Sequence, residues 1–177
     1  MNKAVFLDRD GTINDHVKGY VTNWNLFRFL PNSLEALRLL SDSDYKVIVV
    51  TNQSAVGRGL MSQSDLDDIH ESMLEVIKTN GARVDDILVC PHTPLKECGC
   101  RKPRTGLLEE AANRYELDLS NSWFVGDNTK DVKTGSDGGC QTVLLRTGYG
   151  GSDGLYNIRP DHVADDLLGA VKIILGL

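Results

Sequence analysis

The chain has 177 residues, 41% of them hydrophobic and 25% charged, the balance of an ordinary globular protein. Its net charge of −6 excludes a general nucleic-acid surface, so an anionic ligand needs a local basic pocket or a bound cation. No run approaches the roughly 20 apolar residues of a membrane span, and no signal-like segment opens the sequence, so the expectation is a cytoplasmic monomer with no membrane or nucleic-acid partner.

The length predicts one domain over residues 1–177. The first element is a short apolar run, Ala4-Val5-Phe6-Leu7, leading into Asp8-Arg9-Asp10-Gly11. A run of that length suits a strand buried on both faces of a parallel sheet, with Asp8 and Asp10 at its tip. A polar stretch containing Gly19 and Tyr20 follows, then the aromatic run from Trp24 to Leu30. This segment predicts either a hairpin or flap over the strand tip or a packed surface loop. Asn32 with Glu35 resembles a capping box that opens a helix with Leu34, Leu37 and Leu40 on its buried stripe.

A second buried strand, Lys46 to Thr51, ends in Thr51-Asn52-Gln53-Ser54. Ala55 to Met61, with Gly57, Arg58 and Gly59, reads as a flexible turn. Ser62 and Asp65 cap the next helix, which presents Leu66, Ile69, Met73, Val76 and Ile77 on one face and stops at Asn80-Gly81. Further strands are predicted at Asp86 to Cys90, Ser122 to Asp127 and Gln141 to Arg146, with a weak edge strand at His162 to Ala164. Helices are predicted over about Thr105 to Tyr115, with Leu107, Leu108, Ala111 and Ala112 inward, and over Thr129 to Ser136 and Leu167 to Leu175. The alternation of strands and helices predicts an α/β fold, a three-layer parallel sheet flanked by helices.

Right-handed crossovers place the ends of these strands on one edge of the sheet. Asp8, Asp10, Thr51 and Asp127 therefore meet there, and three carboxylates at one spot call for a cation. Oxygen donors in small number suit Mg²⁺, which keeps room for water and phosphate oxygens. Asp131 braces this cluster from the next helix, and Lys102 supplies positive charge. Cys90, His92, Cys98 and Cys100 form a C-x-H-x5-C-x-C pattern. Three thiolates and an imidazole suit a closed, structural Zn²⁺ site that pins the loop leading into Arg101-Lys102. The remaining cysteine, Cys140, is expected to pack beside the fifth strand.

These residues resemble the haloacid dehalogenase (HAD) superfamily of phosphotransferases, whose four motifs fall on Asp8-x-Asp10, Thr51, Lys102 and Gly126-Asp127-x-x-x-Asp131. The zinc loop and Cys100-Arg101-Lys102-Pro103 are similar to a branch of it that dephosphorylates heptose bisphosphate or histidinol phosphate. Gly19-Tyr20, Ser54 with Gly57-Arg58-Gly59, and Arg146-Thr147-Gly148 resemble the heptose side of that branch; the short His92–Cys98 gap resembles the histidinol side. Asn128 stands where heptose enzymes often carry lysine.

The resemblance implies a HAD-like (Rossmannoid) sheet with no large cap domain, and a small phosphorylated sugar as substrate. It implies Asp8 as nucleophile, Asp10 as acid and base, and Thr51 and Lys102 as holders of the phosphoryl oxygens. Mg²⁺ would lie on the carboxylates of Asp8 and Asp127 and the backbone carbonyl of Asp10. Gly19, Tyr20, Asn52, Gln53, Ser54, Arg101 and Asn128 would contact the substrate. Two other classes compete: a phosphoryl transferase with a second acceptor pocket, and a zinc-loop binding module that needs neither Asp8 nor Asp10.

Overall fold

A computed structural model describes residues 1–177. Six parallel strands form one sheet: β1 (Lys3–Leu7), β2 (Tyr45–Asn52), β3 (Asp86–Cys90), β4 (Trp123–Gly126), β5 (Gln141–Leu145) and β6 (His162–Ala164). Their spatial order is β3-β2-β1-β4-β5-β6. The chain works outward from β1 in one direction, then returns to β4 on its other side and works outward again. This reversal opens a crevice at the carboxyl ends of β1 and β4, the usual ligand position in open α/β sheets.

Both faces of the sheet are covered, which is why its strands read as unbroken apolar runs. Val5, Leu7, Val47, Val49, Val125, Val143 and Leu145 point to one side. There they pack against α1 (Ser33–Ser41), α3 (Gln63–Thr79) and α6 (Leu167–Leu175). Ala4, Phe6, Ile48, Val50 and Phe124 point to the other side, where α4 (Gly106–Tyr115) supplies Leu107, Leu108 and Ala111. A further helix, α5 (Thr129–Asp137), closes on that side too, with Gly135 pressed against Phe124 and Thr142. Cys140, just before β5, is buried in the same cluster as Phe124. No helix is long and apolar enough to cross a membrane.

Local chemistry accounts for most element ends. Ser62 and Asp65 form the expected capping box at α3. Asn32 does not cap α1: its backbone is left-handed at φ 65, a conformation Asn tolerates, and its side chain makes no capping bond. Its amide donates instead to Asp166 Oδ2 at the start of α6, 2.8 Å away. Ala36 joins Leu37 and Leu40 in the buried stripe of α1 while Leu34 is half-buried. In α3, His70 is buried where Val76 was expected, and Val76 is half-buried. The turn after β2 is a short helix, α2 (Ser54–Gly57). Gly57 has no room for a side chain, because a Cβ would overlap the Pro91 carbonyl and Thr93. The aromatic segment forms no regular strand, though Phe29 makes an antiparallel bridge with Asn14 that closes the base of the excursion. Trp24–Leu26 is a 3-10 turn, Trp24 stacks on Phe27 with ring centroids 4.9 Å apart, and Phe27 is buried in the core.

Candidate active site and metal-ligating clusters

The tip of β1 delivers Asp8 and the tip of β4 delivers Asp127, side by side across the crevice, with Asp8 N–H donating to the Val125 carbonyl at 3.0 Å. Oxygens of Asp8, Asp127 and Asp131 all lie within 4.8 Å of one another, and all three residues are buried. Burial and mutual repulsion push Asp8 up to about 6 and Asp127 up to about 7. Lys102 offsets part of this charge. Its Nζ lies 2.9 Å from Asp8 Oδ1 and 2.8 Å from Asp131 Oδ1, with no side-chain exposure. Burial alone would lower Lys102, but the Asp131 and Asp8 carboxylates outweigh it and raise it.

Asp131 is thus committed to Lys102 through one oxygen and to the Asn128 N–H, at 3.1 Å, through the other. Asp8 and Asp127, at the tips of adjacent strands, could share a cation in front of it. The donors are hard oxygens, few in number and crowded, and they fit Mg²⁺. Asp127 is fixed from two sides: Asn128 Nδ2 donates to Oδ1 at 2.8 Å and Tyr149 N–H donates to Oδ2 at 2.7 Å. Gly148 makes the second contact possible. At φ +55 it carries the chain so close to Asp127 and Gly11 that a Cβ would overlap both.

Asp10 turns away from this cluster. Its Oδ1 accepts from Arg9 NH2 at 3.0 Å and Asn14 Nδ2 at 2.9 Å, and its Oδ2 accepts from Gln53 Nε2 at 2.8 Å. Burial works to raise Asp10, but the Arg9 guanidinium and these three donors win and hold it below the usual carboxylate range. Gln53 also donates to Thr51 Oγ1 at 2.9 Å, tying the tip of β2 to Asp10.

A cleft of about 320 Å³ opens above these groups. Asp8, Asp10 and Lys102 reach its surface, as do all seven residues expected to contact substrate: Gly19, Tyr20, Asn52, Gln53, Ser54, Arg101 and Asn128. Thr51 and Asp127 lie beneath it, 1% and 0% exposed. Asn52 has a second task. Its amide donates to the Lys102 carbonyl at 3.2 Å and accepts from the Lys102 N–H at 3.1 Å, so it also fixes the lysine's backbone. The segment around Gly19 forms one wall of the cleft, as a flap would, while the aromatic run behind it belongs to the core.

Several lining residues were not foreseen. Lys130 adds a second cation to the rim, and His16 meets Tyr149 edge-on with centroids 4.6 Å apart. Lys130 had a faint signal, standing at the start of a helix that follows a strand-tip aspartate. The contact between His16 and Tyr149 had none, since 133 residues separate them. Arg9 and Asn14 were also missed, although both sit within four residues of Asp10.

The second cluster lies on the loop between β3 and α4. Cys100 Sγ is 3.2 Å from Cys90 Sγ and 3.3 Å from His92 Nδ1, and Cys90 is 3.6 Å from His92 and 3.8 Å from Cys98. These spacings are too long for a disulfide, near 2.05 Å. They approach the ligand–ligand edge of about 3.8 Å for a tetrahedron with Zn–S bonds of ~2.3 Å. The set could hold one such ion. Arg101 NH1 donates to the His92 carbonyl at 3.0 Å, so this loop also orients a cleft residue.

The chain is similar in sequence and fold to known proteins. A family model described as HAD-hydrolase-like matches residues 99–170. D-glycero-beta-D-manno-heptose-1,7-bisphosphate 7-phosphatase of Bordetella bronchiseptica is 38% identical over 175 residues, covering 98% of each chain. The enzyme of the same name from Pseudomonas aeruginosa is 38% identical over 146 residues, covering 82% of each. A crystal structure of D,D-heptose 1,7-bisphosphate phosphatase from B. bronchiseptica, complexed with magnesium and phosphate, superposes with a TM-score of 0.91 at 35% identity over 98% of both chains. With likeness of that extent in both sequence and fold, the chain belongs to the heptose-1,7-bisphosphate 7-phosphatase family of HAD-like hydrolases.

Proposed function

We propose that this protein is a Mg²⁺-dependent phosphomonoesterase that removes the 7-phosphate of D-glycero-D-manno-heptose 1,7-bisphosphate, with Asp8 as nucleophile. The observation that carries this reading is the meeting of Asp8, Asp127 and Lys102 under an open cleft. Asp8 Oδ1 is engaged by the Arg9 N–H at 2.7 Å and by Lys102, which leaves Oδ2 to attack phosphorus. As the bond from phosphorus to the sugar oxygen breaks, Asp10 gives that oxygen a proton. Asp10 is a carboxylate in the free protein; the charge of an arriving phosphoryl group raises it toward the protonated form. Asp10 then takes a proton from the water that attacks the aspartyl-phosphate, releasing inorganic phosphate and restoring Asp8.

Asp8, Asp127 and the backbone carbonyl of Asp10 would hold Mg²⁺, which supplies charge neutralisation for nucleophile and phosphate when bound. Lys102 and Thr51 hold the phosphoryl oxygens. Arg101 and Lys130 give the acidic chain a local basic rim for the remote phosphate. Cys90, His92, Cys98 and Cys100 would hold a structural Zn²⁺, which would keep Arg101 and Lys102 in place. The histidinol-phosphate alternative is not favoured by the relatives, which are named for the heptose reaction. Since those names specify the β anomer, it is the expected substrate. The test is phosphate release from both heptose bisphosphate anomers and from histidinol phosphate. Asp8→Asn should lower kcat by at least ~10³-fold, the scale on which enzymes lose rate with their nucleophile. Full activity in that variant would overturn the assignment.

A further inference from the structure

Arg9 stands between the two catalytic aspartates and is itself 0% exposed. It continues the register of Val5 and Leu7, so it faces α3 rather than the cleft. There NH1 lies 3.1 Å from Nε2 of His70, a residue only 8% exposed. A guanidinium has donors and no acceptor, so His70 Nε2 accepts and the imidazole is the neutral form protonated on Nδ1. Arg9 Nε is buried without a partner, so its NH1 and NH2 bonds alone fix the plane of the guanidinium.

The other end of this chain of contacts is Asp10. Its Oδ1 is filled by Arg9 and Asn14, while Oδ2 accepts one bond only, from Gln53. Oδ2 is therefore the oxygen with a lone pair left for the catalytic proton. We propose that His70 is a positioning residue for proton transfer: it anchors Arg9, which holds Asp10 Oδ1 and so keeps Oδ2 turned to the leaving oxygen. An apolar side chain at 70 would fill the space on α3 but leave Arg9 NH1 without an acceptor, and the guanidinium would turn away. This inference rests on the reading of Asp10 as acid and base.

The test uses leaving groups. The value of kcat/KM reports steps up to departure of the leaving group, and an aryl oxide of low pKa departs without a proton whereas a sugar alkoxide does not. Against a series of aryl and alkyl phosphates with Mg²⁺, His70→Leu should lower kcat/KM about tenfold or more for the alkyl esters, within the range ascribed to general acids. It should lower the most activated aryl ester far less, so the dependence on leaving-group pKa steepens. His70→Gln, whose Oε1 can accept from Arg9, should restore most of the loss. A parallel fall across the series, no fall, or no rescue by Gln overturns the proposal. Asp10→Asn serves as reference. If it leaves the dependence unchanged, the acid–base assignment fails and takes this one with it. A steepened Asp10→Asn with an unchanged His70→Leu overturns the His70 role alone. Nitrogen-15 NMR of the wild-type imidazole gives an answer that needs no variant to fold: the Nδ1–H tautomer supports the proposal, and Nε2–H or imidazolium overturns it.

Discussion

Lys102 is held between two carboxylates that would otherwise face each other in the interior. Lys102→Met keeps the bulk and removes the charge, stranding Asp8 and Asp131. Removing one partner of a buried pair costs about 3–5 kcal/mol, so this variant should lose stability on that scale in denaturant titrations as well as activity. The same crowding gives a pH dependence. Asp8 and Asp127 are raised to about 6 and about 7, above their value of 3.8 in an unfolded chain. The folded, metal-free protein then binds more protons than the unfolded chain between those limits. The contribution of these two groups to stability is therefore present at low pH and falls as pH rises through 6 and 7. Mg²⁺ should accordingly raise Tm more at pH 8 than at pH 5.5, which paired melts with Mg²⁺ and EDTA will show. At this scale the meeting of Asp8, Asp127 and Lys102 was legible because the two aspartates directly follow strands and the lysine lies in the turn before α4. The Arg9–His70 contact was not, since 61 residues separate its partners and only the folded α3 brings them together.

The end of β3 and the loop to α4 carry the cysteine–histidine set that could hold a second ion, and the loop runs on through Arg101 and Lys102. Cys98→Ser should release that loop, lower metal content by one zinc and cut kcat/KM, while far-UV circular dichroism stays near wild type because the loop contains no helix or strand of its own. An unchanged kcat/KM in a zinc-free variant would separate the loop from catalysis. Strands and the longer helices were readable from apolar runs and caps such as Ser62 with Asp65. Asn32 was misleading for a physical reason: a left-handed backbone aims its amide away from the first turn of α1, toward Asp166. The short helix at Ser54–Gly57 escaped notice because glycines signal a turn, whereas Gly57 is required there by the approach of the Pro91 carbonyl.

Across the whole molecule, the reversal of direction between β1 and β4 converts dispersed sequence motifs into one site. The motif order suggested a common edge, but which strands become neighbours depends on long-range pairing that apolar runs do not encode. The Thr147–Gly151 turn shows how far this reaches. Thr147 Oγ1 donates to the Gly11 carbonyl at 2.7 Å, and Gly151 N–H donates to the Asp127 carbonyl at 2.8 Å. Gly148→Ala should therefore weaken Mg²⁺ binding, measured by calorimetry, with little effect on the cysteine-ligated ion. Native Mg²⁺ affinity in that variant would show that the turn can yield.

Asp127 thus owes one side of its anchoring to amides that arrive more than twenty residues downstream. A fragment ending before Gln141 would retain every acidic and basic signature of a phosphatase, yet lack the parts that aim them. Tallying motifs in a truncated gene product is accordingly a poor guide to whether it can turn over substrate.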